Sequence, residues 1–226
     1  REFVSVRDFG ASSAASAAAN LAAFKLAVAA VATGGKLVIP AGSSFYSIDT
    51  SGGLSTAIEI DRRMEIVLEG DVKANFGTLQ ANPPYLFNVT GDGVTFSGSG
   101  KLIGDGTIND ANTGTISTFP GLVHVSGDNF TFAGPVIDSP PKVGIALNDC
   151  YGAKIHNSVF MGGPSVYTVG NTAHFAIYGS LGGSHQINDN QFIPAAGGGI
   201  FTNCVFFATT SHLIVSGNVC RGAWEK

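Results

Sequence analysis

The chain has 226 residues, 44% of them hydrophobic and 12% charged, with a formal net charge of −4. Its 31 glycines outnumber Asp, Glu, Lys and Arg together, whereas an average chain is about 25% charged, and this excludes a disordered tail or a coiled coil. The longest mostly apolar run, residues 21–32, is broken by Lys25 and falls short of the ~20 residues that cross a bilayer, while the scattered basic residues form no stripe for a phosphate backbone, so neither membrane insertion nor nucleic acid is expected.

Taken in chain order, Phe3 to Val6 alternate as a short strand, and Gly10 follows. An alanine-rich stretch then places Leu21, Phe24, Ala27, Val28 and Val31 at spacings of three and four, one face of a helix. Asn20 is the predicted cap of that helix, and Gly34-Gly35 its predicted end, because glycine enters the left-handed conformation without strain. Lys36 to Pro40 reads as a strand, and Phe45 to Ile48 resumes after small residues. Beyond Thr56 the pattern is short strands and turns. Five segments can be laid over one another: VTFSGSGKL, FTFAGPVI, KIHNSVF, QINDNQF and IVSGNVC, with Phe96, Phe132, Ile155, Ile187 and Val215 as the equivalent inward residues. Their separations are too irregular for a short-repeat solenoid but suit a helix of parallel strands with three strands per turn and loops of varying length. Asn157, Asn190 and Asn218 recur at the bends, where their amides are expected to hydrogen-bond along the stack. Asp92 and Asp128 occupy one place in successive units, which predicts a repeated turn. The three cysteines, Cys150, Cys204 and Cys220, lack zinc-site spacing and disulfide-scaffold density, and are read as small buried apolar residues.

These segments also carry a resemblance. VSVRDFGA at 4–11, the helix after it and GGKLVIPAG at 34–42 resemble the N-terminal module of pectate-lyase-like right-handed β-helices, common in phage tailspikes and polysaccharide-degrading enzymes. GVTFSGSGKLIGDG at 93–106 resembles the early coil of polygalacturonase-type enzymes, and IDSPP at 137–141 through GIAL at 144–147 to Cys150 is a third point of resemblance. The resemblance implies an all-β, right-handed single-stranded parallel β-helix with an N-terminal capping α-helix, built of about six coils. The whole of 1–226 is then one domain, with a cap module at 1–56 and coils at 57–226. It implies an extracellular, secreted or virion-surface protein, a polysaccharide partner and, if the chain is a tailspike, a homotrimer. The polygalacturonase motifs are missing after Met161, and Ser12 to Ala19 replace the acidic segment that usually follows the opening strand, so that active site is not expected. The start at Arg1 carries no signal-peptide pattern, and the absence of a recognisable cap before Lys226 predicts a fragment of a longer chain.

Hydrolysis of a glycoside needs two carboxyl groups facing one linkage. Asp138, Asp149 and Asp189 are the acidic candidates, although each also sits in a sequence that turns favour. A lyase needs a base and cationic groups beside a uronate; Lys142, Lys154, His156, His185 and Arg221 are available, and His156 should point outward because Ile155 points in. Lys142, His156, Tyr151 and Arg221 are the candidates for binding substrate, with Tyr167, Tyr178 and Trp224 as further rings that could stack on sugars. A non-catalytic adhesin or spike segment is the third reading. The segment from Asp105 to Asp110 does not put oxygen ligands on alternate positions as a calcium loop would, and no phosphate loop, His-Glu-x-x-His or Gly-x-Ser-x-Gly occurs. Neither metal nor cofactor is expected.

Overall fold

The computed structural model describes residues 1–51, 57–76, 85–104, 121–162, 175–194 and 203–221. All of its strand pairings are parallel, and each strand pairs with the equivalent strand one turn along the axis, which makes the fold a right-handed parallel β-helix. Three faces build each turn. The first contains Phe3–Ser5, Lys36–Ile39, Glu65–Leu68, Thr95–Gly98, Thr131–Ala133, Lys154–His156, the end of Phe175–Asn188, and Ser211–Ser216. The second runs through Tyr46–Asp49, Val72–Asn75, Lys101–Ile103, Val136–Asp138, Val159–Met161, Gln191–Ile193 and Val219–Cys220. The third comprises Ile58–Ile60, Tyr85–Val89, Gly121–Val125, Val143–Tyr151, the start of Phe175–Asn188, and Asn203–Phe207.

Alternation of side chains along each strand turns this pairing into columns. On the first face Val4, Leu37, Ile66, Phe96, Phe132, Ile155, Ile187 and Val215 lie in one register, so the five units aligned in the sequence stack as expected. All are fully buried except Val215, which is 49% exposed on the last described turn. The second face answers with Tyr46, Val72, Leu102, Ile137, Phe160 and Phe192. Burying one such side chain stabilises by about 1.5–3 kcal/mol, so the columns are the main cohesive element.

The corners explain where glycine and asparagine fall. Between the first and second faces Gly98, Gly134, Asn157, Asp189 and Gly217 are successive members of one left-handed ladder. At Gly98 (φ 104°) a Cβ would sit 2.3 Å from the Leu68 carbonyl oxygen, so only glycine fits. One residue on, Ser158, Asn190 and Asn218 stack. Asn190 Nδ2 donates to Asn218 Oδ1 (3.0 Å) and to the Ile155 carbonyl (2.9 Å), while its Oδ1 accepts from the Ser158 amide. The expected amide ladder therefore includes Asn190 and Asn218, whereas Asn157 takes the left-handed position before it. Where the third face turns into the first, Asp92 accepts from the Asp128 amide and Asp128 from the Tyr151 amide, each at 2.8 Å, which is the repeated turn expected for those two aspartates.

The helix spans Ala17–Ala30 and packs Phe24 edge-on against Tyr46, closing the first end of the stack. Its boundaries differ from expectation. Ser16 caps it by accepting from the Ala19 amide; Asn20 is buried within the helix and uses its amide to hold the Ser12 backbone and the Ser47 carbonyl. The helix stops before Gly34-Gly35 because Val31 turns into extended backbone and is itself buried in the core. The opening strand likewise ends at Ser5, where a capping box with Asp8 starts a short 3-10 turn closed by Gly10. Nor are the cysteines uniformly buried: Cys150 is, Cys204 is partly exposed and Cys220 is exposed. No helix among the described residues is long and apolar enough to cross a membrane.

Candidate functional site

The sequence-derived candidates are spread around the corners of the stack. Asp138 ends a second-face strand between Ile103 and Met161 on the neighbouring turns, and accepts from the Ser139 hydroxyl. Asp149 (φ 53°) occupies a kink within Val143–Tyr151, and Asp189 (φ 56°) belongs to the left-handed ladder between the first and second faces. The three aspartates therefore sit on three different edges. Lys142 is buried beside Pro141, His156 is half-buried on the first face against Asn157, Tyr151 is 52% exposed at the third-to-first corner, and Arg221 follows the last second-face strand. His185 points inward, fully buried, with its ring 5.3 Å from that of Phe207 and no hydrogen-bond partner for either ring nitrogen, so it offers nothing to an external ligand. Tyr167, Trp224 and the segment from Asp105 to Asp110 lie outside the described residues.

A different set converges on the outer surface of the third face. The register brings Glu59, Asn88, His124, Ala146, Tyr178 and Phe206 into one column. Each occupies the middle of a triplet whose flanking residues face the core, as in Ile58-Glu59-Ile60, Phe87-Asn88-Val89 and Val123-His124-Val125, so the central one lies on the opposite side of the sheet; there Glu59 is exposed, Asn88 and His124 are half-buried, and Ala146 and Tyr178 are buried under their neighbours. Its members touch. Asn88 Nδ2 donates to Glu59 Oε2 at 2.7 Å, and Asn88 Oδ1 lies 2.8 Å from His124 Nδ1. Tyr85 stacks on the His124 ring with centroids 4.6 Å apart. Further along, Phe175, Tyr178 and Phe206 pack ring against ring, and Phe206 stays 39% exposed.

The hydrogen bonds assign protons. The Asn88 amide nitrogen donates to Glu59 Oε2, so the amide oxygen is the atom that faces His124. His124 Nδ1 must then carry the hydrogen, which leaves Nε2 as a lone-pair acceptor; this tautomer follows from the network. Burial lowers the His124 pKa from 6.5 to about 4, so the ring is neutral at pH 7. Glu59 moves the other way: burial raises its pKa, opposed by the Asn88 hydrogen bond and the charge of Lys25, and assisted by the charge of Asp61. Burial also pushes the Tyr85 phenol up to about 12, so it stays protonated. The column thus offers a carboxyl group with a raised pKa, a neutral imidazole acceptor and, three turns beyond His124, an exposed aromatic ring. Among the described residues no group of three His, Cys, Asp or Glu side chains could hold a metal.

The depressed His124 pKa has a measurable consequence. Between about pH 4 and pH 6.5 the unfolded chain binds this proton and the folded chain does not, so stability rises with pH through that window and its full contribution is present above it. The loss on acidification is expected to be roughly 2–3 kcal/mol, allowing for partial exposure of the ring. Urea unfolding of the parent and of His124→Gln at several pH values should show a shallower slope over this window in the variant; identical slopes would contradict the assignment.

No protein-family model and no curated protein matches the chain. Among solved structures it is similar to a "putative glycosyl hydrolase" from Parabacteroides merdae, with a TM-score of 0.71 and 17% identity over 97% of this chain and 98% of that one. It is also similar to the tailspike protein of E. coli bacteriophage HK620 in complex with a pentasaccharide, with a TM-score of 0.61 and 17% identity over 99% of this chain. The matched region is 51% of the tailspike, so the chain spans about half its length. Likeness at these identities establishes the shared fold, and both matches agree with the parallel β-helix described above.

Proposed function

We propose that this chain binds a bacterial surface polysaccharide along the outer third face and hydrolyses it, with Glu59 as the proton donor. The observation that supports this most directly is the Glu59–Asn88–His124 chain of hydrogen bonds, laid along the axis on an outward column. Equivalent residues on successive turns stand about 4.8 Å apart, so Glu59, Asn88 and His124 offer three consecutive contacts along the axis to an extended chain of sugars, with Phe206 exposed further along. A general acid must hold its proton near neutrality, and burial shifts Glu59 in that direction. Asp61, which forms an ion pair with Arg62, supplies the second carboxyl group. Asp61 follows directly on the strand Ile58–Ile60 that carries Glu59, and inversion requires the two carboxyl groups to stand ~6.5–9.5 Å apart. His124 Nε2 accepts from a sugar hydroxyl, and Phe206 packs on an apolar sugar face.

In this reading Asp138, Asp149 and Asp189 serve the corners, and Tyr151, His156, Lys142 and Arg221 lie away from the reacting linkage. The likeness to a tailspike that binds a pentasaccharide supports the ligand class and an extracellular or virion-surface setting; assembly as a homotrimer is part of the same proposal. The test is incubation of the chain with capsular, O-antigen and uronate polysaccharides, following reducing ends and the ultraviolet absorbance of unsaturated uronates. Reducing ends without absorbance are expected. Both signals together would replace hydrolysis by a lyase reaction, and binding without either would make the protein an adhesin.

A further inference from the structure

We infer that Cys204 and Cys220 are a disulfide-forming pair that staples the last described turns of the β-helix. Their sulfur atoms lie 3.0 Å apart, closer than unbonded sulfurs ordinarily pack, although sixteen residues separate them in the chain. A disulfide needs a further approach of about 1 Å. The topology makes the contact meaningful. Cys220 belongs to Val219–Cys220, the last second-face strand among the described residues, which pairs there with Gln191–Ile193. Cys204 lies in the third-face strand Asn203–Phe207, and that strand pairs with Phe175–Asn188. A bond between them closes most of one turn covalently at the place where Ile214, Val215 and Val219 are 44% to 55% exposed and the column has no further neighbour among the described residues.

The exposures of the two thiols set an order of events. Cys220 is exposed and meets an oxidant first, while Cys204 is half-buried beside it. With a small-molecule disulfide such as oxidised glutathione, the Cys220 thiolate attacks one sulfur and releases one glutathione thiolate. The Cys204 thiolate then attacks the Cys220 sulfur of the mixed disulfide and releases the second glutathione. Two protein thiols lose their protons and are oxidised, and one small disulfide is reduced to two thiols. Cys150, fully buried two turns below, takes no part.

The experiment equilibrates the chain with oxidised and reduced glutathione, quenches with an alkylating reagent and maps the peptides. The expected result is a Cys204–Cys220 link within one chain, Cys150 alkylated only after unfolding, and a melting temperature several degrees above that of the reduced chain. Cys204→Ser should accumulate glutathione on Cys220, because the resolving thiol is gone. The inference is overturned if the parent also stops at the Cys220 mixed disulfide, or if the link joins two chains. None of these outcomes depends on the polysaccharide reading.

Discussion

Replacing Glu59 by Gln is expected to lower the rate of polysaccharide cleavage roughly 10²- to 10⁴-fold, the usual contribution of a positioned general acid. Gln keeps the size of the side chain, and its amide oxygen can still accept from Asn88 Nδ2, which in the parent donates to Glu59 Oε2 at 2.7 Å. The hydrogen-bonded column and the binding surface should therefore survive, and only the transferable proton is lost. The measurement is the initial rate of reducing-end release, with polysaccharide binding measured in parallel. Equal losses of binding and rate would assign Glu59 to recognition, and an unchanged rate would remove it from the chemistry. In the parent the rate should fall on the alkaline side as Glu59 ionises, at a pH above the ordinary glutamate range because burial raises its pKa. The Glu59→Gln variant should lose that limb.

The largest effect on stability is expected at Phe132. This ring is fully buried in the middle of the first-face column, hydrogen-bonded strands fix the positions of Phe96 below and Ile155 above, and the rings of Phe96, Phe130 and Phe160 lie 5.9, 6.4 and 6.4 Å away. Its neighbours cannot close over a vacancy without breaking the register of the turns that hold them. Phe132→Ala should therefore cost about 3–5 kcal/mol, near the upper range for large-to-small core changes. Phe206→Ala is the matched comparison, since that ring is 39% exposed on the outer surface, and its effect should be much smaller. Urea midpoints of the two variants against the parent decide the matter; similar small shifts would show that the column tolerates a cavity.

The sequence by itself determined the parallel stack and most of its first face. The reason is local: left-handed Gly98, Gly134, Asn157, Asp189 and Gly217 mark a corner only two or three residues long. The inward residues before and after each corner therefore keep one spacing, and Phe96, Phe132, Ile155, Ile187 and Val215 align by inspection. It also identified Asp92 and Asp128 as a turn, since a repeated position argues for backbone geometry. The helix was legible from its spacing, but its cap was not, because Ser16 and Asn20 are both capable caps and only packing against Ser47 decides which one is drawn inside.

Only the tertiary structure assembled the candidate site. Glu59, Asn88 and His124 are each an unremarkable polar residue between two apolar ones, about thirty residues apart, and the connections that enter the third face differ in length from turn to turn. No spacing rule survives those differences. The alignment exists because strands from successive turns must pair backbone to backbone, and that pairing fixes register wherever the loops leave it open. The same pairing placed Asp138, Asp149 and Asp189 on separate edges and drew Cys204 to Cys220. Sequence fixes which side of a strand a residue faces; the residue facing it on the next turn is decided by the hydrogen-bonded stack.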